Sequence, residues 1–171
     1  DRQIEPANRM VSKLSNFLRY SLDNDPMQKI TLDQEISALK LYLDIEKVRF
    51  EERLQLEIDV EDEARRAMIP SLLLQPLVEN AIKYGIARSD EAGHLRIAAR
   101  VFAGELLIEL SDDGPGVELV EGQIPDANGV GLRNTRERLN ELYGSGHSFQ
   151  LGKTDPHGLT VNIRIPFEAR G

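Results

Sequence analysis

The chain contains no cysteine. A disulfide framework, a thiolate metal site and a cysteine nucleophile are therefore excluded. No apolar run approaches the length needed to cross a bilayer, and no secretory signal pattern is present. The Walker A phosphate loop is missing, as are internal repeats and low-complexity tracts. Excess positive charge is missing too: the formal net charge is -8. An acidic chain has no electrostatic footprint for general nucleic-acid binding, so no nucleic-acid partner is expected. The first residue is Asp1, not Met, which reads as an excised fragment and leaves room for a membrane segment upstream.

What is present is globular. Hydrophobic residues make up 40% and charged residues 29% of 171 positions, enough for one domain with its own core and a smaller helical element. Met10, Val11, Leu14, Phe17, Leu18 and Leu22 recur at helical spacing, predicting a helix from about Glu5 to Asp23 that Asp25-Pro26 breaks. Thr31 with Gln34 forms a capping-box signature for a long helix ending near Phe50. That helix carries Leu32, Ile36, Leu39, Leu43 and Phe50 on one side, with Leu41, Ile45 and Val48 as a second apolar row. A stripe so wide predicts contact with two surfaces or with a partner chain.

Leu54 to Val60 alternates strictly and predicts a strand, followed by a polar connection over Glu61 to Arg66. Pro70 and Ser71 introduce a further helix, with Pro76 near its start and Gly85 as its C′ residue. His94–Phe102 and Glu105–Ser111 predict a hairpin turning at Ala103-Gly104. Residues 117–128 read as a loop or mobile lid, Gly129-Val130-Gly131 opens a helix to about Tyr143, and two strands close the chain. The order predicts an α+β fold: a mixed, largely antiparallel sheet with helices on one face, preceded by two N-terminal helices.

Three groups carry possible chemistry. On the helix Leu77-Val78-Glu79-Asn80-Ala81-Ile82-Lys83-Tyr84-Gly85, Glu79 and Lys83 are i,i+4 neighbours, as are Asn80 and Tyr84. Taken alone, that is ordinary surface decoration. Asp112-Asp113-Gly114-Pro115-Gly116 follows at a strand end, and alone could be a turn. Gly129-x-Gly131 at a helix N-terminus suits a closely approaching phosphate, but lacks the rest of a dinucleotide fingerprint. Together they gain meaning. A buried Asp112 selects adenine by accepting from its exocyclic amine. The Asn80 amide oxygen is a hard ligand suited to Mg²⁺. Glu79 can orient a water or accept a proton, and Lys83 or Arg133 can neutralise phosphate charge. His94, His147 and His157 read as surface residues, not as phosphoacceptors.

These three segments resemble the N, G1 and G2 boxes of the GHKL ATPases, the group of gyrase, the Hsp90 chaperones, histidine kinases and MutL. The third box is Gly129-Val130-Gly131-Leu132-Arg133-Asn134-Thr135-Arg136-Glu137-Arg138-Leu139. Leu18-Arg19-Tyr20-Ser21-Leu22, the segment from Tyr42 to Phe50 and Leu74-Gln75-Pro76-Leu77 are similar to the LytS-type sensor histidine kinases. The resemblance implies a Bergerat-type two-layer α/β sandwich under a flexible lid. It divides the chain into residues 1–50, the end of a dimerisation and phosphotransfer region, and 51–171, a catalytic ATP-binding domain. It implies ATP and Mg²⁺ as cofactors, with Glu79 as catalytic base or orienter, Asn80 on the metal and Asp112 on adenine. Gly114, Gly116, Gly129 and Gly131 shape the pocket. Lys83, Tyr84, Leu132, Arg133 and Asn134 are further candidate nucleotide contacts.

The expected activity is protein-histidine kinase, passing the γ-phosphoryl group to a histidine and then to a response regulator. The expected assembly is a homodimer through the N-terminal helices. The expected place is the cytoplasmic side of a bacterial inner-membrane protein, joined to the membrane only through upstream segments. A nucleotide-holding pseudokinase or a GHKL conformational ATPase is the alternative. Two departures stand out: the family's Asn-Pro-His-Phe-Leu-Phe-Asn acceptor motif is not in this chain, and Gly158-Leu159 occupies the place of the usual Gly-Thr, with Thr160 one position later.

Overall fold

A computed structural model describes residues 7–15, 28–88, 90–116, 118–122 and 130–169. The predicted end of the first helix, the Asp25-Pro26 break, most of the 117–128 loop and Gly129 lie outside the described residues.

A helix over residues 7–15 (α1) leads the described chain. Strand β1 (Lys29–Thr31) then runs into α2 (Leu32–Phe50). The capping box is present as predicted: Gln34 N–H donates to Thr31 Oγ1 at 3.2 Å, and Thr31 N–H donates to Gln34 Oε1 at 3.0 Å. Two donors that a helix start leaves free are thereby satisfied. Leu32, Ile36, Leu39, Leu43 and Phe50 are all buried, while Val48 stays 59% exposed. One row thus meets the core and the other does not. Lys13 of α1 pairs with Asp44 of α2 at 3.0 Å.

Strand β2 (Leu54–Val60), helix α3 (Asp62–Arg65) and strand β3 (Met68–Pro70) follow. The Glu61–Arg66 connection is therefore partly helical, and Pro70 ends a strand rather than starting a helix. β3 pairs antiparallel with β1, matching Ile30 to Ile69. Three-residue strands show no alternation, so only their pairing reveals them.

Helix α4 (Gln75–Asn80) continues as a π turn over Ala81–Gly85 and a 3₁₀ turn over Ile86–Arg88. Strands β4 (Gly93–Phe102) and β5 (Glu105–Asp112) form the predicted hairpin. Ala103 and Gly104 both take positive φ, 51° and 77°, as a two-residue hairpin turn of the primed type requires. Helix α5 (Val130–Tyr143) and strands β6 (Ser148–Lys153) and β7 (Leu159–Pro166) complete the fold.

The main sheet has order β2-β4-β5-β7-β6. β2 and β4 are parallel, and every other neighbour pair is antiparallel. The sheet has one dry face. Leu95, Ile97 and Ala99 of β4, Leu106, Ile108 and Leu110 of β5, and Val161, Ile163 and Ile165 of β7 are buried. They share one core with Ile36 and Leu43 of α2, Leu77 and Val78 of α4, and Leu132 and Leu139 of α5. The opposite face is polar. There Arg96 meets Asp59 at 2.9 Å, Glu109 at 3.5 Å and Glu57 at 3.6 Å. This is the two-layer α+β arrangement that the element order predicts.

Candidate functional site

The site is built on α4. Pro76 sits in its first turn, where a missing N–H costs nothing. Leu77 and Val78 are buried, which fixes the helix roll and leaves Glu79 exposed and Asn80 half-buried at the far end. The next turn winds as a π helix, with i→i+5 bonds, so residues four apart no longer stack. Glu79 and Lys83, neighbours by spacing, each meet another residue. Glu79 Oε1 accepts from Gln75 Nε2 at 3.1 Å, and the exposed Lys83 ammonium lies 5.1 Å from the ring of the half-buried Tyr84.

Gly85 is not a C′ residue: helical backbone continues past it into Ile86. Its glycine serves a close approach instead. A Cβ there would lie 2.9 Å from Asp112 Oδ1, and a Cβ on Gly114 would lie 2.3 Å from Gly85 Cα. The N box and the G1 box are thus in direct backbone contact.

Asp112 ends β5 and is 4% exposed. Gly114 N–H donates to its Oδ1 at 2.9 Å. Burial holds the carboxyl pKa above its ordinary value. Backbone donation from Gly114 and Leu159 opposes that rise, the Asp113 charge adds to it, and His157 lowers it. Asp113 turns away to β4, accepting from His94 N–H at 2.7 Å and lying 2.5 Å from His94 Nδ1. His157 Nδ1 lies 2.8 Å from the Gly114 carbonyl oxygen. The two exposed histidines therefore brace the G1 loop, a role their spacing did not reveal. Gly116 has φ 80°, and its Cβ position lies 3.4 Å from the Gly158 carbonyl oxygen. Gly158 (φ 126°) packs so closely that a Cβ would fall 1.9 Å from the Asp112 carbonyl oxygen.

The Leu159-for-Thr departure has a direct structural outcome. Leu159 is buried, and its backbone N–H donates to Asp112. Thr160 points to the other side of β7, where its hydroxyl lies 2.8 Å from that of Thr154. Side chains alternate along a strand, so Thr160 does not replace the hydroxyl one position earlier.

The third wall is the start of α5. The Cβ position of Gly131 lies 3.6 Å from Pro76 Cβ, 3.7 Å from Asn80 Nδ2 and 3.9 Å from Asn80 Oδ1. Asn80 Nδ2 is buried without a hydrogen-bond partner. A buried orphan donor beside a helix start is what an anion's oxygen would satisfy. Leu132 is buried in the core, whereas Arg133 and Asn134 are exposed. Thr135 donates its hydroxyl to the Gly131 carbonyl at 2.9 Å.

Two residues of α2 also reach this region. Tyr42 donates to Glu46, and burial, then Glu46, then Glu79 push its phenol well above the usual range. It stays protonated and stands close enough to feel the Glu79 charge. Its i,i+4 spacing to Glu46 was the only sequence signal. A cavity of about 820 Å³ opens elsewhere, between Asp59, Arg96, Glu109, Gln150, Asn162 and Arg164 on the outer sheet face, and no box residue lines it.

The profile of the "Histidine kinase-, DNA gyrase B-, and HSP90-like ATPase" family matches residues 65–169, and that of the "Histidine kinase" family matches residues 1–54. The chain is 33% identical over 166 residues to the sensor histidine kinase YesM of Bacillus subtilis, covering 96% of this chain and 28% of YesM. It is 31% identical over 173 residues to the sensor histidine kinase/phosphatase LytS of Staphylococcus aureus, covering 96% of this chain and 30% of LytS. It thus spans less than a third of these relatives. Among solved structures, histidine kinase ThkA in complex with the response regulator protein TrrA matches with a TM-score of 0.60 at 15% identity, covering 98% of this chain and 51% of that one.

Proposed function

The chain belongs to the histidine kinase-, DNA gyrase B- and HSP90-like ATPase family, and on that premise we propose that it is the ATP-binding catalytic region of a two-component sensor histidine kinase. The observation that carries this reading is the meeting of the N box with both other boxes: Asn80 lies against Gly131, and Gly85 lies against Asp112.

The adenine amine would be read by Asp112, against which Gly85 and Gly158 pack closely, with Gly114 and Gly116 shaping the adjoining loop. The phosphates would lie toward the α5 N-terminus, where Gly131 leaves room beside Asn80, and Gly129, Lys83, Arg133 and Asn134 are the further candidate phosphate contacts. Tyr84 and Leu132 would be further nucleotide contacts, the latter from the core. Asn80 would hold Mg²⁺ through its amide oxygen. Among the described residues no cluster of three His, Cys, Asp or Glu side chains could cage a metal. Mg²⁺ needs none, since it binds through few protein ligands together with phosphate oxygens and waters. Bound there, it would neutralise phosphate charge.

Glu79 is exposed and held by Gln75. It can therefore meet an acceptor imidazole arriving from outside and take or orient its proton. The acceptor histidine would be supplied from outside these residues. Residues 1–50 would act as the end of the dimerisation and phosphotransfer region and 51–171 as the catalytic domain, even though α2 and the sheet share a core. The exposed Val11, Leu14 and Val48 suit a homodimer through the N-terminal helices. A response regulator would be the onward partner; ThkA is seen in complex with one, TrrA. No described helix is long and apolar enough to cross a membrane; we place this region on the cytoplasmic side of a kinase anchored through its upstream segments.

Phosphotransfer tests the proposal. The chain, extended upstream to include the acceptor motif, is incubated with radiolabelled ATP. Acid-labile, base-stable label on the added segment is expected. Steady phosphate release without label would favour the conformational ATPase, and nucleotide binding without either would favour the pseudokinase.

A further inference from the structure

The turn that launches α4 is held from three directions, and one of its residues is strained. Leu72 has φ 59°, a conformation rarely adopted by residues with a branched carbon chain. Such strain persists only where surroundings over-determine it. Here Ser71 N–H donates to the Gln28 carbonyl at 2.8 Å. Leu72 N–H donates to Glu35 Oε2 at 2.9 Å. The Arg138 guanidinium donates to the Ser71 carbonyl. Glu35 is 1% exposed and Ser71 fully buried, whereas Gln28 is exposed and Leu72 and Arg138 are half-buried.

Each contact comes from a different element. Gln28 precedes β1, Glu35 lies in the first turns of α2, and Arg138 lies on α5. Leu32 N–H also donates to the Ala67 carbonyl at 2.8 Å, which fastens the start of α2 to the segment entering the turn. Downstream, Leu74 is the uncapped start of α4, and Glu79 and Asn80 form its last residues. Upstream, α2 is tied to α1 by Lys13–Asp44. A continuous path of bonds thus runs from α1 through α2 to the strained turn and on to the catalytic pair. Arg138 adds α5, whose first turn abuts Asn80.

We propose that Glu35 and Arg138 are positioning residues: they clamp the Ser71-Leu72 turn so that the placement of α2 sets how Asn80 and Glu79 meet the nucleotide phosphates. The Ser71-Leu72 turn bonds to α2 through Glu35 and to α5 through Arg138, so a shift of α2 reaches the start of α4 through it. The inference rests on the ATP-binding reading of Asn80.

The test is the ratio of ATP affinity with Mg²⁺ to that with chelator, measured by calorimetry on this chain. Leu72→Gly relieves the strain but frees the backbone of the turn, and is expected to keep the circular-dichroism spectrum. It should nevertheless lower the ratio about five-fold or more, because α4 loses its enforced start. Glu35→Ala should do the same. Glu35→Gln should restore most of the ratio, since its amide oxygen still accepts from Leu72. A purely structural clamp would lower the melting temperature and weaken binding equally with and without Mg²⁺. An unchanged ratio in folded Leu72→Gly, or a failure of Glu35→Gln to recover it, overturns the clamp. A parent chain that shows no Mg²⁺ benefit overturns instead the Asn80 assignment on which the clamp rests.

Discussion

Gly85 lies flat against the Asp112 carboxylate, so close that a methyl group at position 85 would sit 2.9 Å from Oδ1. The helix of the first box and the acid of the second therefore meet through a position with no room for a side chain. Gly85→Ala should turn the carboxylate away from an incoming base and weaken ATP binding about ten-fold or more, as when a built hydrogen-bonding site loses its partner. Calorimetric titration with ATP measures this, and unchanged affinity would remove Asp112 from the base-reading role.

Asp112 should also show a trade between stability and binding. Its folded pKa is raised, mainly by burial. A raised carboxyl binds its proton more tightly folded than unfolded. Its cost is therefore absent below the ordinary carboxylate range and grows as pH rises through the elevated folded value. Asp112→Asn should stabilise the chain at neutral pH, by about 0.5–2 kcal/mol, as relief of a functional compromise commonly does. The gain should shrink in thermal melts taken progressively from neutral pH down to about pH 4, while ATP affinity falls at every pH.

Gly114 and Gly131 predict opposite outcomes for the same substitution. A Cβ at 114 meets the backbone of Gly85 at 2.3 Å, and backbone cannot step aside. Gly114→Ala should cost about 1–3 kcal/mol in urea unfolding. A Cβ at 131 meets only ordinary contacts beginning at 3.6 Å. Gly131→Ala should stabilise α5, by up to about 1 kcal/mol. It nevertheless sets a methyl beside the Asn80 amide, so the Mg²⁺-dependent part of ATP affinity should fall as stability rises.

The capping box gives a control. Thr31→Ala removes the acceptor for Gln34 N–H and should cost about 1 kcal/mol. Thr31 is remote from the three boxes in sequence and bonds to none of them, so ATP affinity should not change. A loss of affinity would mean that the α2 start influences the site by more than the Glu35 contact.

Much of this was legible in the residues. The α2 start and end, the β2 bounds, the hairpin turn and the α5 limits follow from periodicity and cap chemistry. The three boxes were readable as one site because each contributes a different chemical part. Other features were not. β1 and β3 exist only because they pair with each other across Ile30 and Ile69. The π turn depends on the tertiary setting of Ala81–Gly85 and leaves no periodic signal. Gly85 resembled a helix stop because a helix stop and a close approach both demand glycine. His94 and His157 gave no periodic signal, since their partners lie 19 and 43 positions away.

The central claim is that one cleft reads adenine at Asp112 and Mg²⁺-bound phosphate at Asn80. Its most direct test is calorimetric titration of the parent chain, Asn80→Ala and Asp112→Asn with ATP and with GTP, each with Mg²⁺ and with chelator. The parent should prefer ATP and bind it more tightly with Mg²⁺. Asn80→Ala should lose the Mg²⁺ benefit and keep the preference for ATP, and Asp112→Asn should do the reverse. Unchanged behaviour in both variants would contradict the claim.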